Sequence, residues 1–136
     1  LGTADYLSPE QARGEKLTAA SDLYSLGVVM FEMVAGRPPF IGPTAVSIAM
    51  QHASTYPPAL RQFNANVPPA LEQIISKALE KEPADRYHSA AEMQLDLRHC
   101  ARELRGQSGF ATAPMAHPST EIGGQFGQFQ PPLYRQ

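Results

Sequence analysis

The chain reads as an all-helical domain followed by a tail without packed structure. Three observations predict this. Apolar residues recur at helical spacing up to about residue 105, and Pro- and Gly-rich joints separate the periodic stretches. No run alternates with a period of two, so no sheet is expected. Composition then changes sharply at Gly106. Gly, Gln, Pro, Ser, Thr and Ala take over, with isolated Phe and Tyr and little to bury, so 106–136 reads as a disordered tail or linker and 1–105 as the ordered part.

The first helix starts at Ser8-Pro9-Glu10-Gln11. Ser8 can cap, Pro9 suits the first helical position, and Gln11 can reach back to complete a capping box. Gly14 keeps this helix short. The second runs from about Ser21 to Ala35. Leu23, Leu26, Val28, Val29, Met30, Phe31, Met33 and Val34 make it apolar nearly all round, so it is expected to be buried on every side. Gly36 stops it and Pro38-Pro39 prevents its resumption. Gly27 inside it costs about 1 kcal/mol relative to Ala, which points to close approach of another backbone.

A third, weaker helix spans about Pro43 to His52. The fourth begins near Pro69, with Leu71, Ile74, Ile75, Ala78 and Leu79 on one face, Lys81 in its last turn and Pro83 ending it. The fifth starts at the capping box Ser89-Ala90-Ala91-Glu92 and carries Met93, Leu97, Cys100 and Leu104 as its stripe, with Gly106 closing it.

Composition excludes several roles. Lys and Arg number 11 and Asp and Glu 13, a net charge of −2 with no basic run, so nucleic acid is not the expected partner. The single cysteine excludes an internal disulfide and fits a reducing compartment, the cytoplasm. No apolar run is long enough to span a bilayer, and no signal peptide is visible. The four histidines are widely spaced, and adjacent residues such as His99 and Cys100 diverge on a helix, so no metal site is expected. No Ser–His–Asp spacing argues for a hydrolase. The chain opens on Leu1 rather than Met, which reads as part of a longer protein.

One series of segments carries more specific information. It comprises Gly2-Thr3-Ala4-Asp5-Tyr6-Leu7-Ser8-Pro9-Glu10, Ser21-Asp22-Leu23-Tyr24-Ser25-Leu26-Gly27 continuing through Val28-Val29-Met30-Phe31-Glu32-Met33, Gly36-Arg37-Pro38-Pro39-Phe40 and Lys77-Ala78-Leu79-Glu80-Lys81-Glu82-Pro83-Ala84-Asp85-Arg86-Tyr87. In this order and at this spacing the series resembles the end of the activation segment and the distal half of the large lobe of a Ser/Thr protein kinase. It is most similar to the bacterial, Hanks-type members, where Ser-Pro-Glu-Gln replaces the more familiar Ala-Pro-Glu. The resemblance covers about 1–105.

The resemblance implies a parent enzyme that moves the γ-phosphoryl group of ATP, with magnesium, to Ser or Thr of proteins in signalling. The Gly-rich loop, strand lysine, catalytic Asp and metal-binding Asp of that family are not found here, and the glycines around Gly124 lack the strand context to replace them. This segment would supply the substrate-docking floor and the lobe scaffold and be inactive alone. Its partners would be protein substrates and the missing small lobe and catalytic loop. Two alternatives stay open: a pseudokinase, and a helical protein-interaction module without catalysis. Whether a membrane tether follows Gln136 also stays open.

The resemblance assigns residues as well. Glu10 and Arg86 would form a buried ion pair; taken alone they are two surface charges. Thr3 would contact the catalytic base. Tyr6 and Leu7 would lie beside the substrate's next position, and Glu32 near Tyr6. Asp22, otherwise a capping and dipole-complementing residue of the second helix, would hold the catalytic-loop backbone.

Overall fold

The computed structural model describes residues 3–107, leaving the Thr3 side chain aside. Five α-helices follow in order: α1 (Pro9–Ala12), α2 (Ala19–Ala35), α3 (Ala45–Ser54), α4 (Pro69–Ala78) and α5 (Ala90–Gln107). Short 3-10 turns at Thr3–Tyr6, Leu60–Gln62 and Pro83–Asp85 fall between or before them. The described residues contain no strand. None of their helices is long and apolar enough to cross a membrane. The tail lies outside the described residues from position 108 onward.

The helix starts follow local chemistry. At α1 the Ser8 hydroxyl accepts from the Gln11 N–H (3.1 Å) while the Gln11 side chain accepts from the Ser8 N–H (2.9 Å), a complete capping box. At α5 only one arm of the expected box forms. Glu92 N–H donates to the Ser89 hydroxyl (3.1 Å), but the Glu92 carboxylate accepts from His88 N–H (2.9 Å) rather than from Ser89. Helix α3 begins two residues later than expected, because Thr44 caps it by accepting from Ser47 N–H (3.1 Å). Helix α2 begins two residues earlier, at Ala19, and the Ser21 hydroxyl accepts the Thr18 N–H (3.1 Å). Asp22 is therefore a first-turn residue and not the cap.

Gly36 ends α2 in the left-handed conformation (φ 77°) that glycine adopts without a Cβ penalty. Gly106 behaves differently: it stays inside α5, which runs on to Gln107 instead of closing there. A glycine in a helix is tolerated at modest cost, so it marked the end only approximately.

Helix α2 is the centre of the packing. Tyr24, Val28 and Phe31 meet Leu60, Val67, Ile75 and Leu79 in one cluster; Leu23 meets Ile74, Ala78, Tyr87, Met93 and Cys100 in a second. Helix α4 and its C-cap residue Leu79 feed both, Ile75 and Leu79 into one and Ile74 and Ala78 into the other. Each large side chain so buried contributes about 1.5–3 kcal/mol relative to exposure. The expectation that α2 is buried on every side needs correction. Leu26 (44% exposed), Val29 (40%) and Met33 (79%) form an open stripe headed by the exposed Asp22, because α4 and α5 cover only the other faces. Leu104 of α5 is likewise exposed at the end of its stripe.

Gly27 does stand at a close approach, though to side chains rather than to backbone. A Cβ there would lie 2.8 Å from Ala78 Cβ and 3.2 Å from Leu79 Cδ2. Neither helix can yield cheaply, since the nearest atom is bonded directly to the α4 backbone. Gly27→Ala is expected to destabilise by about 1–2 kcal/mol, the overpacking cost exceeding the gain in helix propensity. Chemical denaturation of Gly27→Ala and of Gly27→Ala/Ala78→Gly checks this, with partial recovery expected in the double variant.

Candidate functional site

The loop Thr3–Leu7 is short, carries polar groups at most positions, and is tied to two helices. Its 3-10 turn closes with Leu7 N–H on Ala4 O (3.3 Å). From α2, the Ser25 hydroxyl donates to Tyr6 O (2.7 Å), and Glu32 Oε2 accepts from the Tyr6 hydroxyl (2.7 Å). Ser25 and Glu32 are seven residues apart, hence on one helix face. That hydrogen bond, then burial and the nearby carboxylates, push the Tyr6 hydroxyl's pKa up. From α3, His52 reaches the same loop. Its Nε2 lies 2.9 Å from Asp5 O. A carbonyl can only accept, so Nε2 carries the proton and Nδ1 accepts from the Tyr24 hydroxyl (2.8 Å). Burial lowers the His52 pKa to about 4; the Asp5 carbonyl opposes this and the Lys81 charge adds to it. The ring stays neutral, with both nitrogens committed.

A second set of bonds lies under the loop. Glu10, in α1, and Arg86, just after the Pro83–Asp85 turn, form a two-pronged pair: Nη2 to Oε1 at 2.6 Å and Nη1 to Oε2 at 3.0 Å. Both side chains are buried. Arg86 also donates from Nε to Glu80 O (2.7 Å), from Nη1 to Ala20 O (3.0 Å) and from Nη2 to Lys81 O (3.0 Å). All five of its N–H groups are thereby used. Glu10 accepts a further bond from the Ser21 hydroxyl (2.7 Å). Burial alone would raise the Glu10 pKa, but the Arg86 hydrogen bonds, the Ser21 hydroxyl and the Arg86 charge bring it to about 2.

Lys81 joins the two sets. Its ammonium donates to His52 O (2.9 Å) and Gln51 O (3.3 Å), carbonyls of the last turn of α3, where a cation also suits the helix dipole. It lies over the Phe40 ring, 4.7 Å from the centroid. Burial, then the Arg86 charge, lower its pKa to about 8. Lys81 belongs to the Lys77–Tyr87 segment but is expected in the last turn of α4; that helix instead ends at Ala78, which leaves Lys81 in the following loop, free to reach α3.

The residues singled out from the sequence therefore separate into groups. Tyr6 and Glu32 are brought together, as are Glu10 and Arg86. Leu7 is half-buried beside Tyr6. Thr3 lies in the 3-10 turn, its side chain outside the description. Asp22 joins neither bonded set and stands on the open stripe of α2. Ser21, Ser25, His52 and Lys81 were not foreseen. The one available signal was Ser25 and Glu32, seven residues apart on a largely apolar helix. Among the described residues no cluster of His, Cys, Asp and Glu could hold a metal ion. The arrangement ties the Thr3–Leu7 loop to both α2 and α3 through side-chain hydrogen bonds.

Comparison with known proteins gives this loop a context. The profile of the protein kinase domain matches residues 1–97. A probable serine/threonine-protein kinase of Streptomyces coelicolor is 44% identical over 131 residues, 96% of this chain and 19% of that protein. Serine/threonine-protein kinase PknB of Mycolicibacterium smegmatis is 52% identical over 97 residues, 71% of this chain and 16% of that protein. Serine/threonine-protein kinase PrkC of Bacillus subtilis is 48% identical over 98 residues, 72% and 15% respectively. The chain thus spans less than a fifth of the length of these relatives.

Proposed function

Because the chain belongs to the protein kinase family, in its bacterial serine/threonine branch and at the C-terminal part of the large lobe, we propose that it forms the substrate-docking floor of a kinase. That kinase transfers the ATP γ-phosphoryl group to Ser or Thr hydroxyls of proteins. Thr3 stands beside the catalytic base, Tyr6 and Leu7 beside the residue next to the acceptor, and Glu32 fixes Tyr6. Glu10 and Arg86 anchor the loop to the lobe, and Asp22 holds the backbone of the catalytic loop. The observation that carries this reading is the Thr3–Leu7 loop, bonded to both α2 and α3 above the buried Glu10–Arg86 pair.

On this reading ATP and its magnesium are held by the small lobe and the catalytic loop, the partners of this segment, since the family's phosphate- and metal-binding motifs lie outside this sequence. The kinase works in the cytoplasm, as the single buried cysteine suggests. The test compares this chain with the whole kinase domain that carries it, using labelled ATP, magnesium and a Ser/Thr peptide library. Label on Ser or Thr from the domain and none from the chain is the expected result. Transfer by the chain alone would overturn the docking role, and a domain that transfers nothing would leave an interaction module in its place.

A further inference from the structure

We propose that His52 is a positioning residue for the protein substrate, setting the docking loop against α3; this deepens the docking reading and rests on it. The argument starts from the ties on the loop. Two of them, Ser25 to Tyr6 O and Tyr6 to Glu32, come from α2. The His52 bond to Asp5 O comes from α3, 47 residues away in the chain. It is the hydrogen bond that ties the loop to α3, so its removal loosens the loop's registration there while the loop keeps its bonds to α2.

The imidazole is itself held. Tyr24 donates to Nδ1 (2.8 Å), and the Phe40 ring meets it edge-on with centroids 4.9 Å apart. Lys81 clamps the His52 carbonyl, and Lys81 O in turn accepts from Arg86. A fully buried polar ring is costly unless every polar atom is paired, and an aliphatic residue would fill the same space at less risk. Here one of its two hydrogen bonds goes to the backbone of the docking turn. The Glu10–Arg86 anchor and the loop are thereby connected through Lys81, His52 and Asp5.

The test uses the whole kinase domain. H52N keeps an acceptor near Nδ1 for Tyr24 but is too short to reach Asp5 O. H52Q places an amide N–H near the Nε2 position. Peptide KM is expected to rise about five- to tenfold in H52N, the value of one hydrogen bond, with ATP KM and kcat within about twofold; H52Q is expected to recover most of the loss. Amide exchange across Thr3–Leu7 should quicken in H52N while α4 and α5 stay protected. Should H52N fail to fold, Y24F releases the ring and is expected to move peptide KM in the same direction by less.

Peptide KM unchanged in the variants would overturn the proposal. So would a parallel loss of kcat, ATP affinity and global protection, or an H52Q no better than H52N. If the domain phosphorylates no peptide at all, the kinase reading fails separately. Amide exchange then decides the positioning role alone: quickening confined to the loop sustains it, and unchanged exchange ends it.

Discussion

Arg86→Ala is expected to destabilise the kinase domain carrying this segment by about 3–5 kcal/mol, a large fraction of a typical domain's stability. The substitution strands a buried carboxylate and three backbone carbonyls at once, those of Glu80, Ala20 and Lys81. Glu10→Ala leaves a buried guanidinium, but one still bonded to three carbonyls, so its cost should be smaller. Arg86→Lys should not rescue, because an ammonium has three donors and no planar fork to span five acceptors. The double variant Glu10→Ala/Arg86→Ala should lose much less than the sum of the single losses. Coupling within about 0.5 kcal/mol of zero in a denaturant-melt cycle would mark independent sites. The pair also has a pH signature. The folded Glu10 pKa, about 2, lies below its ordinary 4.5, so its contribution is full above about pH 4.5 and disappears as pH falls through 2.

The second large effect concerns the open face of α2. On its own, segment 1–105 is expected to associate, or to melt without a sharp transition. Leu26, Val29 and Met33 form a continuous apolar stripe, beside a cleft of about 360 Å³ lined by Leu23, Ala90, Met93 and Leu97 among others. Contiguous apolar surface of this kind marks an association face. On the kinase reading it packs against the preceding part of the large lobe. Thermal unfolding with light scattering measures this, and Leu26→Gln/Met33→Lys should lower the scattering. A sharp, reversible, monomeric transition in the parent segment would instead favour an autonomous helical domain.

Much of the architecture was legible because it is local. The Ser8–Gln11 box, the α4 stripe from Leu71 to Leu79 and the Gly36 stop are written within a few residues of where they act. The α2 and α3 boundaries slipped by two residues where Thr18 and Thr44 served as starts in place of the expected Ser21 and Pro43. The site was legible only in part. Tyr6–Glu32 and Glu10–Arg86 came from the ordered series of motifs, not from spacing, since their members lie 26 and 76 residues apart. His52 carried no local sign, and Lys81, though inside the Lys77–Tyr87 segment, gave no sign of its partners. Each looks like an ordinary helix-end residue, and its partners are chosen by tertiary packing. The α2 stripe misled for a related reason: periodicity reports which faces are apolar, not whether a neighbour is at hand to cover them.

The guanidinium of Arg86 also has a bearing on synthesis. Chains emerge from the ribosome N-terminus first, so Glu10 appears 76 residues ahead of the side chain that neutralises it. At ordinary elongation rates of about 5–20 residues per second, that carboxylate waits roughly 4–15 s for its partner. The early part of the chain can coil into helices during that interval, yet the docking loop has no anchor beneath it. On the docking reading, competence is therefore acquired late, only after the residues leading into the last helix have left the exit tunnel.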